Sequence, residues 1–551
     1  MLVIDSRSDL SDSLQRRISQ LMPQELCVLR AQLQDQDLGN LLILTKAARQ
    51  RTERVFLQVS EGSFDPVFLH ALIRTGLSGA IVVFTTRQEP RPYHSVEEKY
   101  VGDLELLERV RKAKKSLPSG FRFIPGISIP QSKLNQIGAV LADLVVEESD
   151  SILLEVEGAP TSPAVLAIRN AFEYLRMRNL IATPIYFSFD NASRKAWELQ
   201  TRCTFSGLEV VHMDVSNKCT HSCLFCGLYS PEIHAREKEK NQGKLPSQMI
   251  EMMRAELDPD KGLALIRDFP ETVEMIQFGG AGDPLLHPYA LDFIEAAAGR
   301  GFRLEVLSNL EYLDEKSLQR LKVLGRGADV RFIVNLGAAT AATYTVIRPK
   351  QSEDVFRRVF YNIQALAEGG IKIIPMMVLN RLNFHEATDF VRLSKELGGA
   401  SVYLKRMETH NELQYKLLAP ETELRVQLSQ ALSIADALGI DVFSRRDVET
   451  SSDQRNVAAD FYATNSCFIG YRYARFEVDG KVRPCCISKH PVGDLSKTGW
   501  KEIWHGGAYT SFRTKTESIS ETKFHQSDRE WSFCQQCVHK DINGRANTVL
   551  V

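Results

Sequence analysis

Nowhere in the 551 residues does an uninterrupted apolar run approach 18, and the N-terminal stretch MLVIDSRSDLSDSLQRR has no basic region followed by an apolar segment. Such a chain offers neither a membrane-spanning helix nor a secretory signal, and its expected location is cytoplasmic. An excess of one charge is also missing: 68 Lys and Arg stand against 69 Asp and Glu, a formal net charge of −1. That balance gives no general attraction to nucleic acid or to an anionic membrane, so neither is the expected partner. Cysteine is scarce, with 10 in the whole chain, too few for a disulfide scaffold. What is present, 44% hydrophobic and 25% charged residues, is ordinary for packed globular domains and excludes disorder. At this length roughly three or four folded units are expected.

The few cysteines are grouped. Three fall at Cys219, Cys223 and Cys226, five at Cys467, Cys485, Cys486, Cys534 and Cys537, and only Cys27 and Cys203 stand alone. In a reducing compartment clustered thiols bind metal more readily than each other, whereas an isolated cysteine is usually a small buried hydrophobe.

Between the two groups the pattern alternates strand and helix. LEVVHMDVSN (208–217), MIQFGG (275–280), RLEVLSN (303–309), VRFIVNLG (330–337), IKIIPMMVL (371–379) and SVYLKRM (401–407) read as strands, with helices over 288–302, 352–369 and 385–397. This βα repeat implies parallel strands in an α/β fold, either a doubly wound sheet or a full or partial barrel, with the active site at the C-terminal strand ends. The segment 55–187 echoes the same order (VFLQVS, SFDPVFLHALIRTGL, AIVVFTT, a charged helix near 101–116, FRFIPGISI) without a cysteine triplet. It reads either as a degenerate duplicate of the later unit or as an unrelated α/β domain. The expected domains are 1–200, 205–445 and 446–551.

The loop SNKCTHSCLFCGLYSP places three cysteines with the spacing C-x3-C-x2-C directly after a strand. A structural zinc site wants four protein ligands, whereas three thiolates on one compact loop suit a 4Fe-4S cluster with one iron left open. The loop resembles the signature of the radical SAM superfamily, with Phe225 matching the usual aromatic before the third cysteine. The resemblance implies a partial (β/α)6 TIM-like barrel in which Cys219, Cys223 and Cys226 hold the cluster and S-adenosylmethionine (SAM) chelates its open iron. FGGAGDPLLHP resembles the glycine-rich stretch of that family: Gly279 and Gly280 would bring the backbone to SAM, and Asp283 stands where glutamate is usual. Ser308 and Asn309 match the polar end of the third strand that contacts SAM. NLGAATAATYTVIRP resembles the segment that carries a tyrosine and an arginine, here Tyr344 and Arg348. Arg348 is a candidate partner for a carboxylate of SAM or substrate, or a structural ion-pair partner.

ARFEVDG–KVRPCC reads as a β-hairpin turning at Asp479-Gly480, which brings Cys467 and Cys485 close; Cys534-x2-Cys537 then completes four thiolates. This set resembles the SPASM or twitch extension, and VHKDINGRANTVLV, which follows it, lacks the further cysteines of a full SPASM pattern. One auxiliary 4Fe-4S cluster is therefore expected, with zinc as the rival. Cys486 is left over: inert, an alternative ligand, or a hydrogen-atom donor in an epimerisation.

The expected activity is reductive cleavage of SAM to a 5′-deoxyadenosyl radical that takes a hydrogen atom from substrate, with electrons from a flavodoxin- or ferredoxin-type reductant. Oxidation or epimerisation of a carbohydrate or other small metabolite is preferred. The alternatives are a peptide-modifying maturase and, outside the class, a zinc-binding scaffold protein.

Overall fold

A computed structural model describes strand and helix segments between residues 2 and 186 and the stretches 208–270, 273–407, 412–443 and 461–537. Its strands form two sheets. In the first, β1 (Leu2–Asp5), β2 (Cys27–Ala31), β3 (Val55–Ser60), β4 (Gly79–Thr85), β5 (Arg122–Ile129), β6 (Ile152–Val156) and β7 (Ile185–Tyr186) lie side by side in chain order. Every neighbouring pair is parallel. The charged helix expected near 101–116 spans Leu104–Lys115. Cys27 falls on β2, whereas Cys203 and the segment SFDPVFLHALIRTGL lie outside the described residues.

The second sheet repeats this plan with β8 (Val210–Asp214), β9 (Met275–Gly279), β10 (Arg303–Ser308), β11 (Val330–Asn335), β12 (Lys372–Leu379), β13 (Ser401–Arg406) and the two-residue β14 (Asp441–Val442). These too are parallel and sequential. A sheet that never reverses its strand order is singly wound, which decides for the partial barrel over the doubly wound alternative.

Alternation along the strands explains the curvature. Val211 and Met213, Ile276 and Phe278, Leu304 and Val306, and Phe332 and Val334 all join one core with helix residues such as Phe293, Leu321, Ile363 and Phe390. The helices thus pack on one face, and burying a side chain such as Phe278 there contributes about 1.5–3 kcal/mol. The intervening residues face the concave side. Helix starts are set locally: Asp314 accepts from the Ser317 N–H and Thr340 from the Thr343 N–H.

The C-terminal segment is welded to this sheet. Strand β15 (Tyr473–Phe476) pairs parallel with β8, and β16 (Lys481–Arg483) returns antiparallel to it through the expected turn, followed by β17 (Gly493–Asp494). Among the described residues no helix is long and apolar enough to cross a membrane.

Candidate active site

The cysteine loop leaves the C-terminal end of β8. Cys223 is buried and Cys219 and Cys226 are half-buried. The Cys226 N–H donates to the Cys223 carbonyl at 2.9 Å, folding the loop tightly. Sulfur acceptors are supplied with donors: the Leu228 and Tyr229 N–H groups point at Cys226 Sγ at 3.4 and 3.2 Å, and Asn309 Nδ2 lies 4.0 Å from Cys219 Sγ. Burial pushes the Cys219 and Cys223 thiols up; the Asp283 charge adds to this at Cys219, while the Arg348 guanidinium opposes it at Cys223. Thiolates so placed require a cation among them, and a three-ligand iron–sulfur cluster meets that demand.

The far side of the loop is pinned by the segment after β11. Arg348 is fully buried. Its Nε donates to His221 Nδ1 at 3.2 Å, its Nη2 donates to the Asn335 carbonyl at 2.6 Å, and its plane lies 4.5 Å from the Tyr344 ring centroid. Nη1 is buried without a hydrogen bond. His221 Nε2 meets Glu311 Oε2 at 3.2 Å, and the Thr220 hydroxyl donates to the same oxygen at 2.6 Å. Burial, with the Arg348 charge, holds the His221 imidazole below its usual range and therefore neutral. Gln414 Nε2 donates to the Phe225 carbonyl, while the Phe225 ring packs against the main core.

The glycine-rich strand end touches this loop directly. Gly280 has φ +125°, and a Cβ there would stand 2.6 Å from the Asp214 carboxylate. At Gly282 a Cβ would stand 2.3 Å from the Asn217 backbone. The Asp283 N–H donates to the Lys218 carbonyl at 2.7 Å. Asp283 and Ser308, both proposed from sequence as SAM contacts, turn to one another: the Asp283 carboxylate accepts from Ser308 Oγ at 2.9 Å, the Asn309 N–H at 2.7 Å and the Leu285 N–H at 3.0 Å. Burial nevertheless leaves its acidity weaker than usual. This brace holds β9 to β10 and leaves the Asn309 amide aimed at Cys219.

The second set also converges. Cys467, Cys485 and Cys534 are buried and Cys537 and Cys486 half-buried in one cluster with Tyr462, Phe512 and Phe533. Burial pushes the Cys534 thiol up, and charge on Cys467, Cys485 and Cys537 pushes it further, so the four are electrostatic neighbours. Tyr462 Oη lies 2.9 Å from Cys537 Sγ. Cys486 packs against the same cluster and lies beside Tyr473, its carbonyl accepting from Arg475 Nη1 at 2.8 Å. Among the described residues no group of three or more His, Cys, Asp or Glu side chains is gathered tightly enough to hold a single metal ion.

Residues 213–394 match the model of the radical SAM superfamily, and residues 467–538 match that of the SPASM iron–sulfur cluster-binding domain. The chain carries a radical SAM domain followed by a SPASM domain. A 4Fe-4S cluster and SAM go with the first of these domains and further iron–sulfur binding with the second, which sets aside the reading as a zinc scaffold. The chain is 21% identical over 337 residues to the AdoMet-dependent heme synthase of Nitratidesulfovibrio vulgaris, covering 56% of this chain and 82% of the relative. It is 24% identical over 292 residues to a probable GTP 3′,8-cyclase of Saccharolobus islandicus, covering 52% and 86%. Among solved structures it is similar to Streptococcus suis SuiB bound to S-adenosylmethionine (TM-score 0.45, 11% identity, 69% of this chain and 85% of that one).

Beyond the cysteines, the concave face carries polar groups that sequence reading passed over: His212 and Asp214 on β8, Gln277 on β9, Glu305 on β10, and Tyr473 and Arg475 on β15. Gln277 donates to Glu305 at 2.6 Å. The opposite part of the same face is apolar, built from Ile333, Ile374 and Met376 with Val378, Tyr403 and Phe443 packed against them. The available signal was polar residues at alternate positions of otherwise apolar strands, as in V-H-M-D.

Proposed function

We propose that Cys219, Cys223 and Cys226 hold the SAM-binding cluster, that Cys467, Cys485, Cys534 and Cys537 hold one auxiliary cluster, and that the enzyme oxidises a small molecule. When bound, the first cluster with SAM supplies reductive cleavage to methionine and a 5′-deoxyadenosyl radical, the agent that takes a hydrogen atom from substrate. The chain's own residues position the reactants. Asn309 Nδ2 and the Leu228 and Tyr229 N–H groups orient sulfur, Gly279 and Gly280 give the methionyl group access to backbone, and the buried Arg348 guanidinium sets a positive charge beside Cys223.

The observation that carries the oxidative reading is the parallel pairing of β15 with β8. Because Cys467 precedes β15 and Cys485 follows β16, this pairing supports an auxiliary site on the same sheet as the glycines that end β9, from which an electron acceptor can serve the substrate. Four ligands without a vacancy suit an electron relay better than substrate ligation. A small substrate is supported by the relatives named for heme and GTP chemistry and by a concave face whose polar half can hydrogen-bond a hydroxylated or amino-bearing metabolite. A flavodoxin- or ferredoxin-type protein is the reductant.

The test is anaerobic reconstitution with iron and sulfide analysis, then reduction with SAM present. About eight irons per chain are expected, with 5′-deoxyadenosine formed by the wild type and lost in Cys223→Ala. About four irons would remove the auxiliary cluster. Incubation with deuterium-labelled cell extract, fractionated by size, follows label into 5′-deoxyadenosine. Label from the peptide fraction instead of the small-molecule fraction would replace the metabolite reading with a peptide maturase.

A further inference from the structure

A chain of polar contacts, one hydrogen bond and one ion pair, runs along the concave face between the two cysteine sets. At one end Tyr473 is buried beside Cys485 and Cys486, and burial together with negative charge on those cysteines keeps its phenol protonated. The Tyr473 hydroxyl lies 3.0 Å from His212 Nδ1, and His212 Nε2 lies 3.1 Å from Asp214 Oδ1. Asp214 in turn fills the space against Gly280, where the SAM-site glycines begin.

The chemistry of the partners fixes the tautomer. The Asp214 carboxylate only accepts: against burial, which would raise it, the His212 contact and the Arg475 guanidinium, which donates to Asp214 Oδ2 at 2.9 and 2.5 Å, hold it below its usual range and ionised. His212 Nε2 therefore carries the proton, and Nδ1 accepts from the Tyr473 hydroxyl. The groups facing the ring are accounted for from each neighbouring element: Asp214 on its own strand, Tyr473 and Arg475 from β15, and Gln277, its register partner on β9, with Glu305 behind it. Its side chain is 15% exposed while Nε2 itself is buried. A brace between two strands needs none of this, because apolar residues of similar size fill such space without the cost of burying polar groups.

We infer that His212 takes up and releases the proton that accompanies each electron gained and lost at the four-thiol site. On reduction, one electron arrives at the site and one proton from water arrives at His212 Nδ1. The Tyr473 hydroxyl turns from donor to acceptor, and the charge of the interior is unchanged. On oxidation both leave. His212 is a positioning and proton-holding residue here, acting on the four-thiol site through Tyr473. The inference rests on the proposal that Cys467, Cys485, Cys534 and Cys537 hold an auxiliary cluster.

The experiment is an anaerobic redox titration of the reconstituted full chain by electron paramagnetic resonance from pH 6 to pH 9, following the cluster signal that SAM does not perturb. One proton per electron is a tenfold change in the reduction equilibrium per pH unit, a potential that falls by about 59 mV per unit. His212→Gln, which keeps hydrogen bonds to both neighbours and cannot titrate, is expected to give a flat line, and Tyr473→Phe a reduced slope. A wild-type potential independent of pH overturns the inference, as does an unchanged slope in His212→Gln. Absence of any second cluster signal in the wild type would instead overturn the auxiliary-cluster proposal and this inference with it.

Discussion

Arg475 Nη2 lies 2.5 Å from Asp214 Oδ2, so that the first strand of the SPASM segment and the first strand of the core are joined by an ion pair as well as by a ladder. The Asp214 side chain is 3% exposed and that of Arg475 18%, a setting in which each charge depends on the other. Burial alone would raise the Asp214 carboxyl, but the His212 hydrogen bond and the Arg475 charge outweigh it and hold the group below its usual range. Asp214→Asn, which keeps an acceptor for His212 but leaves the guanidinium uncompensated, is expected to destabilise the fold by about 3–5 kcal/mol. Asp214→Asn/Arg475→Met should recover most of that loss. A double-mutant cycle on denaturant midpoints measures it, and equal losses in the single and double variants would remove the coupling.

The adjacent glycines make different predictions. A Cβ at Gly279 would meet His212 Nε2 and Leu307 at 3.5 Å, ordinary contact, whereas at Gly280 it would meet the Asp214 carboxylate at 2.6 Å with φ at +125°. Gly279→Ala should leave iron content and folding intact. Gly280→Ala should cost about 2 kcal/mol or more and weaken SAM binding, read by equilibrium dialysis with labelled SAM. Equal effects at the two positions would show that Asp214 does not set the requirement.

The C-terminal segment should be acid-sensitive through His505. Burial, aided by the positive charge of Arg513, holds its imidazole down from 6.5 to about 3. The unfolded chain therefore binds the proton first. The stability this residue contributes is complete above pH 6.5 and is lost as pH falls from there towards 3. Asp214, with its carboxyl lowered, acts in the other window: its contribution is present above the unfolded carboxylate range near 4 and fails only below it. A midpoint that declines between pH 6.5 and 4.5 in the wild type and declines less in His505→Gln is the expected result of urea melts at fixed ionic strength.

Much of the plan was legible before the fold. The strands at 208–217, 275–280, 303–309, 330–337, 371–379 and 401–407 were readable because a sheet covered by helices on one face keeps its apolar residues in register with the pleat. The cysteine sets were readable because spacing alone marks them. What the sequence could not convey was which partner each polar residue faces. Asp283 and Ser308 sit at positions that suggest a ligand, and only the crossing from β9 to β10 turns them towards each other. Likewise, nothing local to V-H-M-D or Y-A-R-F indicates that these strands are neighbours, since 258 residues lie between Asp214 and Tyr473, where the partner strand begins. The lumen network of His212, Asp214, Tyr473 and Arg475 is a product of that long-range pairing.

Tyr462 offers a test of the auxiliary ligand set that does not depend on substrate. Its hydroxyl, 2.9 Å from Cys537 Sγ, is kept protonated by burial and by the neighbouring cysteine charge, so it is the donor when Cys537 is a thiolate ligand. A hydrogen bond to ligand sulfur stabilises the more negative, reduced cluster. Tyr462→Phe removes only the hydroxyl and should lower the auxiliary potential. A differential bond of about 1 kcal/mol corresponds to about 40–50 mV for a one-electron couple. Because Tyr462 lies away from the Cys219 loop, the SAM-responsive cluster should keep its potential. Potentiometry of both signals in one sample reads the two outcomes together. A fall in the SAM-responsive signal, or none in either, would show that Cys537 is not a ligand of the auxiliary site.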